Sequence, residues 1–162
     1  MSNPFAFFGL NPGLNIDAKS LRKAYLDIQR GAHPDLASDN ADANRISEQA
    51  NANYQLLLNP LSLVKAYLDL LDDSLCSNSS LPPDFLMEMM DLSDAIEEMD
   101  RKDEQSMSNV ESQWNAYATS LQEEFVSFQN QENPNVKALA EWYQKSKYIQ
   151  RLRKNFDGIV EI

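Results

Sequence analysis

A chain of 162 residues with a net charge of -11 is ill suited to nucleic acid or an anionic membrane surface, because affinity for phosphates comes from Lys and Arg. One cysteine, Cys76, and one histidine, His33, exclude an intrachain disulfide, a cysteine-rich zinc site and the paired Glu-x-x-His motifs of a di-iron bundle. Four glycines and seven prolines among 43% apolar residues favour long helices over many short strands.

The chain opens with NPFAFFGL, residues 3–10. Asn at N-cap and Pro at N1 start a helix, and Gly9 with Pro12-Gly13 stops it. Asp17 caps a second helix over 18–31. Leu21, Tyr25 and Ile28 recur at steps of four and three and form its packing face. Lys19, Lys23, Leu26 and Arg30, with Arg22 beside them, line another face, so one side packs and the other is basic. Gly31 and Pro34 end this helix. A third helix is predicted over 40–58, with Ala43, Ile46, Ala50, Tyr54 and Leu57 inward. Asn59-Pro60 marks a boundary, and the apolar segment 61–71 follows.

DDSLCSNSSLPPD, residues 72–84, is rich in Ser, Asp and Pro and reads as a linker. Three longer amphipathic helices come after it. The first is predicted over 83–104 through Phe85, Met89, Leu92, Ile96 and Met99. The second covers 107–130 through Val110, Trp114, Tyr117, Leu121 and Phe125. The third covers 135–156 through Leu139, Trp142, Ile149, Leu152 and Phe156. With short connections they make an antiparallel three-helix bundle. Residues 84–111 carry ten acidic and two basic side chains, and residues 137–154 carry six basic and one acidic, so the first and third helices attract one another weakly.

Enzyme chemistries fail on inventory. No phosphate-binding glycine loop is present, and the lone histidine lies two residues from Asp35 across a proline, poor geometry for an oriented triad. No cofactor and no resident metal is expected. No run of eighteen apolar residues exists, and the first residues lack a basic n-region, so the expectation is a cytoplasmic chain without a membrane segment.

Two surface features remain. The tripeptide His33-Pro34-Asp35 follows the basic helix. Proline disfavours helical backbone at the residue before it, so His33 and Asp35 are offered from a turn, beside Lys19, Arg22, Lys23 and Arg30. Either this is an ordinary helix–helix turn with a solvated charged face, or it is a docking edge for an acidic protein surface. On the helix from 83, Met90 and Met87 fall roughly 140° and 160° from Phe85 at 100° per residue. Leu86 borders them, and Asp91, Asp94 and Glu98 also lie away from the seam. This second stripe either packs against other parts of the chain or marks an interaction site.

The order of short helix, basic amphipathic helix, HPD and third helix resembles a J-domain. NPFAFFGL resembles the start of the HscB family, the J-type co-chaperones of iron–sulfur cluster assembly. ANANYQLLLNPLSLVKAYLDLL, residues 50–71, and FLMEMMDLSDAIEE, residues 85–98, resemble two further segments of that family. Three positions depart from its pattern: Ala32 before HPD, Leu36 after it, and Lys65 where arginine is usual.

The resemblance implies an all-α, L-shaped protein. An N-terminal J-domain (1–72) is followed by a linker (73–83) and a C-terminal antiparallel three-helix client-binding domain (84–162). It implies a co-chaperone, not an enzyme, of the bacterial cytoplasm. His33, Pro34 and Asp35, with Lys19, Arg22, Lys23 and Arg30, would bind the DnaK-type chaperone HscA and stimulate its ATP hydrolysis. Leu86, Met87, Met90, Asp91, Asp94, Glu98 and Tyr148 would bind the iron–sulfur scaffold IscU. A J-domain adaptor for a different client, or a helical module without chaperone activity, remains open.

Overall fold

The computed structural model describes residues 3–32 and 40–158, and every regular element among them is helical. The chain divides into two compact units, the first ending at Asp73 and the second starting at Ser74.

In the first unit, α1 (Pro4–Phe7) is a single turn. The Asn3 side chain accepts from the backbone N–H groups of Phe5 and Ala6. The helix ends at Phe7, just before Gly9, which takes φ +67°, a conformation that glycine adopts without strain. Helix α2 (Ala18–Gly31) begins on Asp17, whose carboxylate accepts the Lys19 N–H and the Ser20 hydroxyl. Those two donors, Ser20 first, hold the Asp17 carboxyl below the ordinary aspartate value.

Helix α3 (Asn40–Leu58) packs against α1, α2 and α4 (Pro60–Leu71). Phe5, Leu21, Ala43, Ala50, Leu57, Leu63, Val64 and Leu68 are buried. Ile46, expected inward, is exposed. Ala43, Ala50 and Leu57 span roughly 40° of the helix circumference, and Ile46 lies outside that narrow arc.

In the second unit, α5 (Leu75–Asn78) is one turn within the stretch expected as linker. It packs on α8, burying Cys76, and the Gln144 side-chain amide donates to the Cys76 carbonyl. Helices α6 (Pro83–Glu98), α7 (Glu104–Gln129) and α8 (Val136–Phe156) form the bundle.

The predicted first helix runs to 104, but α6 ends at Glu98. Met99 is extended and buried, and Asp100 and Asp103 are spent on turn and cap bonds. Asp103 therefore starts α7 at 104 rather than 107.

Indole hydrogen bonds fix α7 against α8. Trp142 donates to the Leu121 carbonyl and Trp114 to the Ile149 carbonyl, each at 2.8 Å. The partner numbers fall on α7 as they rise on α8, so these helices are antiparallel. The Arg101 guanidinium donates to the carbonyls of Phe156 and Asn155, closing one end of the bundle on the last carbonyls of α8, where Asn155 also accepts the Gly158 N–H.

Candidate interaction surfaces

On α2 the inner face is only partly apolar. Leu21 is its buried aliphatic, while Tyr25 stacks on Tyr54 of α3 with centroids 4.3 Å apart. A polar clasp completes the contact. The Tyr25 hydroxyl donates to Asn51 Oδ1, the Ser47 hydroxyl donates to Gln29 Oε1, and Gln29 Nε2 donates to the Ser47 carbonyl and Asn51 Oδ1.

This locks the rotation of α2 and sends Lys19, Arg22, Lys23 and Arg30 outward, all exposed. Arg30 has an acidic neighbour, Asp27, at 3.7 Å, with both side chains mostly in water. Such a pair contributes about 0–1 kcal/mol and leaves the face cationic. Ala32, beside HPD, is buried and donates to the Ile28 carbonyl. His33, Pro34 and Asp35 lie outside the described residues.

On α6 the inner face is dry: Phe85, Met89, Leu92 and Ile96 are buried. Opposite it, Leu86, Met87 and Met90 are 38%, 66% and 62% exposed, whereas Met89, between them in sequence, is 0% exposed. Asp91, Asp94 and Glu98 are also exposed.

Tyr148 of α8 is half-buried and meets Phe85 edge-on at 6.4 Å. The Arg151 guanidinium covers the Tyr148 ring at 4.3 Å, and Lys145 lies 5.3 Å from the Phe85 ring while pairing with Glu141. On the other flank of α6, burial raises the Tyr117 phenol above the ordinary tyrosine value, and the charge of Glu88 beside it and then of Asp91 add to this.

Leu86 and Met90 fall roughly 100° and 140° to one side of Phe85, and Glu88 and Asp91 roughly 60° and 120° to the other. Leu86 and Met90 thus turn away from α7, toward the flank of α8 and Tyr148, while Met87, roughly 160° from Phe85, faces straight outward. Lys145 over Phe85 is a contact between helices with no signature within either one, whereas Arg151 and Tyr148, three apart on α8, follow an i,i+3 spacing that the sequence already carries.

Geometrically, α6 offers a shape-adaptable apolar patch with a carboxylate row beside it, and α2 offers a cationic ridge. Neither holds a convergent set of acids, bases or nucleophiles. Among the described residues no group of three or more His, Cys, Asp or Glu is disposed to hold a metal, and no helix is long and apolar enough to cross a membrane.

Comparison with known proteins places the chain in a family. The family described as "HSCB C-terminal oligomerisation domain" matches residues 81–157. A co-chaperone protein HscB homolog of Shewanella sp. (strain ANA-3) is 30% identical over 128 residues, 74% of each chain. The chain belongs to the HscB co-chaperone family. The HscB homolog of Haemophilus ducreyi is 26% identical and matches across 100% of this chain and 94% of its own.

Solved HscB structures share the fold. Human HscB has a TM-score of 0.78 at 22% identity, over 97% of this chain and 81% of that one. HscB from Vibrio cholerae has a TM-score of 0.73 at 23% identity, over 98% of this chain and 97% of that one. The all-helical HscB architecture, a J-domain followed by a helical C-terminal domain, is therefore the architecture of this chain.

Proposed function

We propose that this chain is the adaptor that loads the iron–sulfur scaffold IscU onto the Hsp70-type chaperone HscA and stimulates HscA to hydrolyse ATP. Residues 1–72 act as the J-domain and 84–162 as the client-binding domain, with 73–83 connecting them. His33, Pro34 and Asp35 trigger hydrolysis, while Lys19, Arg22, Lys23 and Arg30 steer the acidic docking surface of the chaperone into place. Leu86, Met87, Met90 and Tyr148 give the scaffold an apolar seat, and Asp91, Asp94 and Glu98 set its register against basic groups. The covalent step occurs on the chaperone's nucleotide, and this chain contributes binding energy and a trigger, in the cytoplasm.

The observation that carries the reading is the pair of water-exposed methionines beside Leu86 on an otherwise well-packed helix, in a chain of the HscB family. Folding leaves that apolar cluster uncovered, and methionine suits a surface that must adapt to a partner. The test is calorimetric titration of IscU into wild type and into Leu86→Ala/Met87→Ala/Met90→Ala. The triple variant is expected to bind at least about a hundredfold more weakly, since truncating central anchors costs roughly 1 kcal/mol or more each, with unchanged helicity. Equal affinity would transfer the surface to another client.

A further inference from the structure

The chain has six methionines, and the structure sorts those of α6 into two classes. Met87 and Met90 are 66% and 62% exposed, one helical step of three apart; Met89 is 0% exposed on the opposite face, and Met99 just beyond the helix is buried. The two exposed thioethers stand in the middle of the apolar patch, beside Leu86. A thioether is an apolar side-chain group that a two-electron oxidant converts into a strongly polar one. The same patch built from leucine would bury similar area without that liability.

We propose that Met87 and Met90 form a reversible oxidation site by which peroxide releases the scaffold from α6. The inference rests on the reading of this face as the scaffold's seat. In the forward step the thioether sulfur attacks one oxygen of hydrogen peroxide. An S–O bond forms, the O–O bond breaks, the sulfur is oxidised by two electrons, and the other oxygen leaves as water after taking up a proton. The product is a sulfoxide whose oxygen is a strong hydrogen-bond acceptor. Seating it against an apolar partner leaves that acceptor unpaired, which weakens binding.

The helix itself survives, because the seam of Phe85, Met89, Leu92 and Ile96 is shielded from the oxidant. Reductases specific for each sulfoxide epimer, drawing two electrons from thiols, return the thioether and one water. The consequence is chemically directed: oxidant would detach the scaffold without unfolding the carrier.

The experiment uses the full chain. Purified protein is treated with dilute hydrogen peroxide, and the peroxide is removed with catalase before IscU is added. Peptide mass spectrometry then locates the added oxygens, and calorimetry gives the scaffold affinity. The expected result is sulfoxide at Met87 and Met90 well ahead of Met89 and Met99, scaffold affinity lowered about tenfold, and recovery after both reductases. Met87→Leu/Met90→Leu removes both thioethers, and peroxide treatment should leave its scaffold affinity equal to that of the same variant untreated, whatever that starting value is.

Unchanged affinity in fully oxidised protein would overturn the proposal. So would oxidation of Met89 at the rate of Met90, or equal loss in the leucine variant. Failure of the underlying reading has a different signature: the unoxidised alanine variant would then bind scaffold as wild type does.

Discussion

The outer faces of α2 and α6 are built on opposite terms. Helix α2 is held to α3 by one buried leucine, a tyrosine stack and a clasp of Asn, Gln and Ser side chains, and its outer face is mainly cationic, with Leu26 among the charges. Helix α6 is held by a dry seam of four buried apolar residues, and its outer face is apolar at one end and acidic along its length. Exposed lysine and arginine are the ordinary state of a helix surface. Exposed methionine at two-thirds accessibility, repeated at helical spacing, is not. On the proposed function, the two faces meet their partners by different physics: long-range steering for α2 and short-range burial for α6.

The sharpest way to break the comparison is inside α6 itself. Met89→Ala removes a fully buried side chain and is expected to destabilise the second unit by about 2–5 kcal/mol. Met90→Ala, one residue on, is expected to change stability by less than about 0.5 kcal/mol. Urea denaturation followed by circular dichroism distinguishes them, and similar losses would mean that the outer face is structural.

The next test acts on α2. Lys19→Glu/Lys23→Glu should weaken docking to the ATP-bound chaperone about tenfold at low salt. The deficit should shrink above 0.5 M salt as screening sets in, while IscU affinity stays unchanged. Surface plasmon resonance across a salt series measures both.

The smallest expected effect lies at the α7–α8 contact. Burial raises the Glu124 carboxyl above the ordinary glutamate value, Lys145 opposes this and Glu141 adds to it. A raised carboxyl binds its proton more tightly in the folded chain. Its contribution is complete below the unfolded-state value and is lost as pH rises through the folded one. Glu124→Gln should thus stabilise the bundle at pH 7 by about 0.5 kcal/mol or less, since the group is partly solvated. That gain should disappear below the ordinary glutamate value, as read from thermal melts at pH 7 and pH 4.

Much of this organisation is legible in the residues. The caps Asp17 and Asn59-Pro60 delimit α2 and α4 because an N-cap oxygen or a proline acts within one turn. Leu86, Met87 and Met90 follow from 100° arithmetic on a helix whose seam is unambiguous. Helix α6 was predicted too long because DRKD continues a charged pattern, and only the caps reveal that its aspartates serve a turn. Helix α5 is invisible for a different reason: four residues carry no period, and its burial depends on α8. The proposed role of Tyr148 rests on family resemblance; its Arg151 stack follows i,i+3 spacing on α8, while the contact of Lys145 with Phe85 depends on how α8 meets α6.

The most direct measurement is single-turnover ATP hydrolysis by HscA with wild type, His33→Gln and Met87→Ala/Met90→Ala, each with and without IscU. The account predicts that wild type accelerates hydrolysis and that IscU adds to it. His33→Gln should do neither, and the methionine variant should keep the basal stimulation but lose the IscU increment. If His33→Gln stimulated hydrolysis as wild type does, the division of labour between the two units proposed here would be wrong.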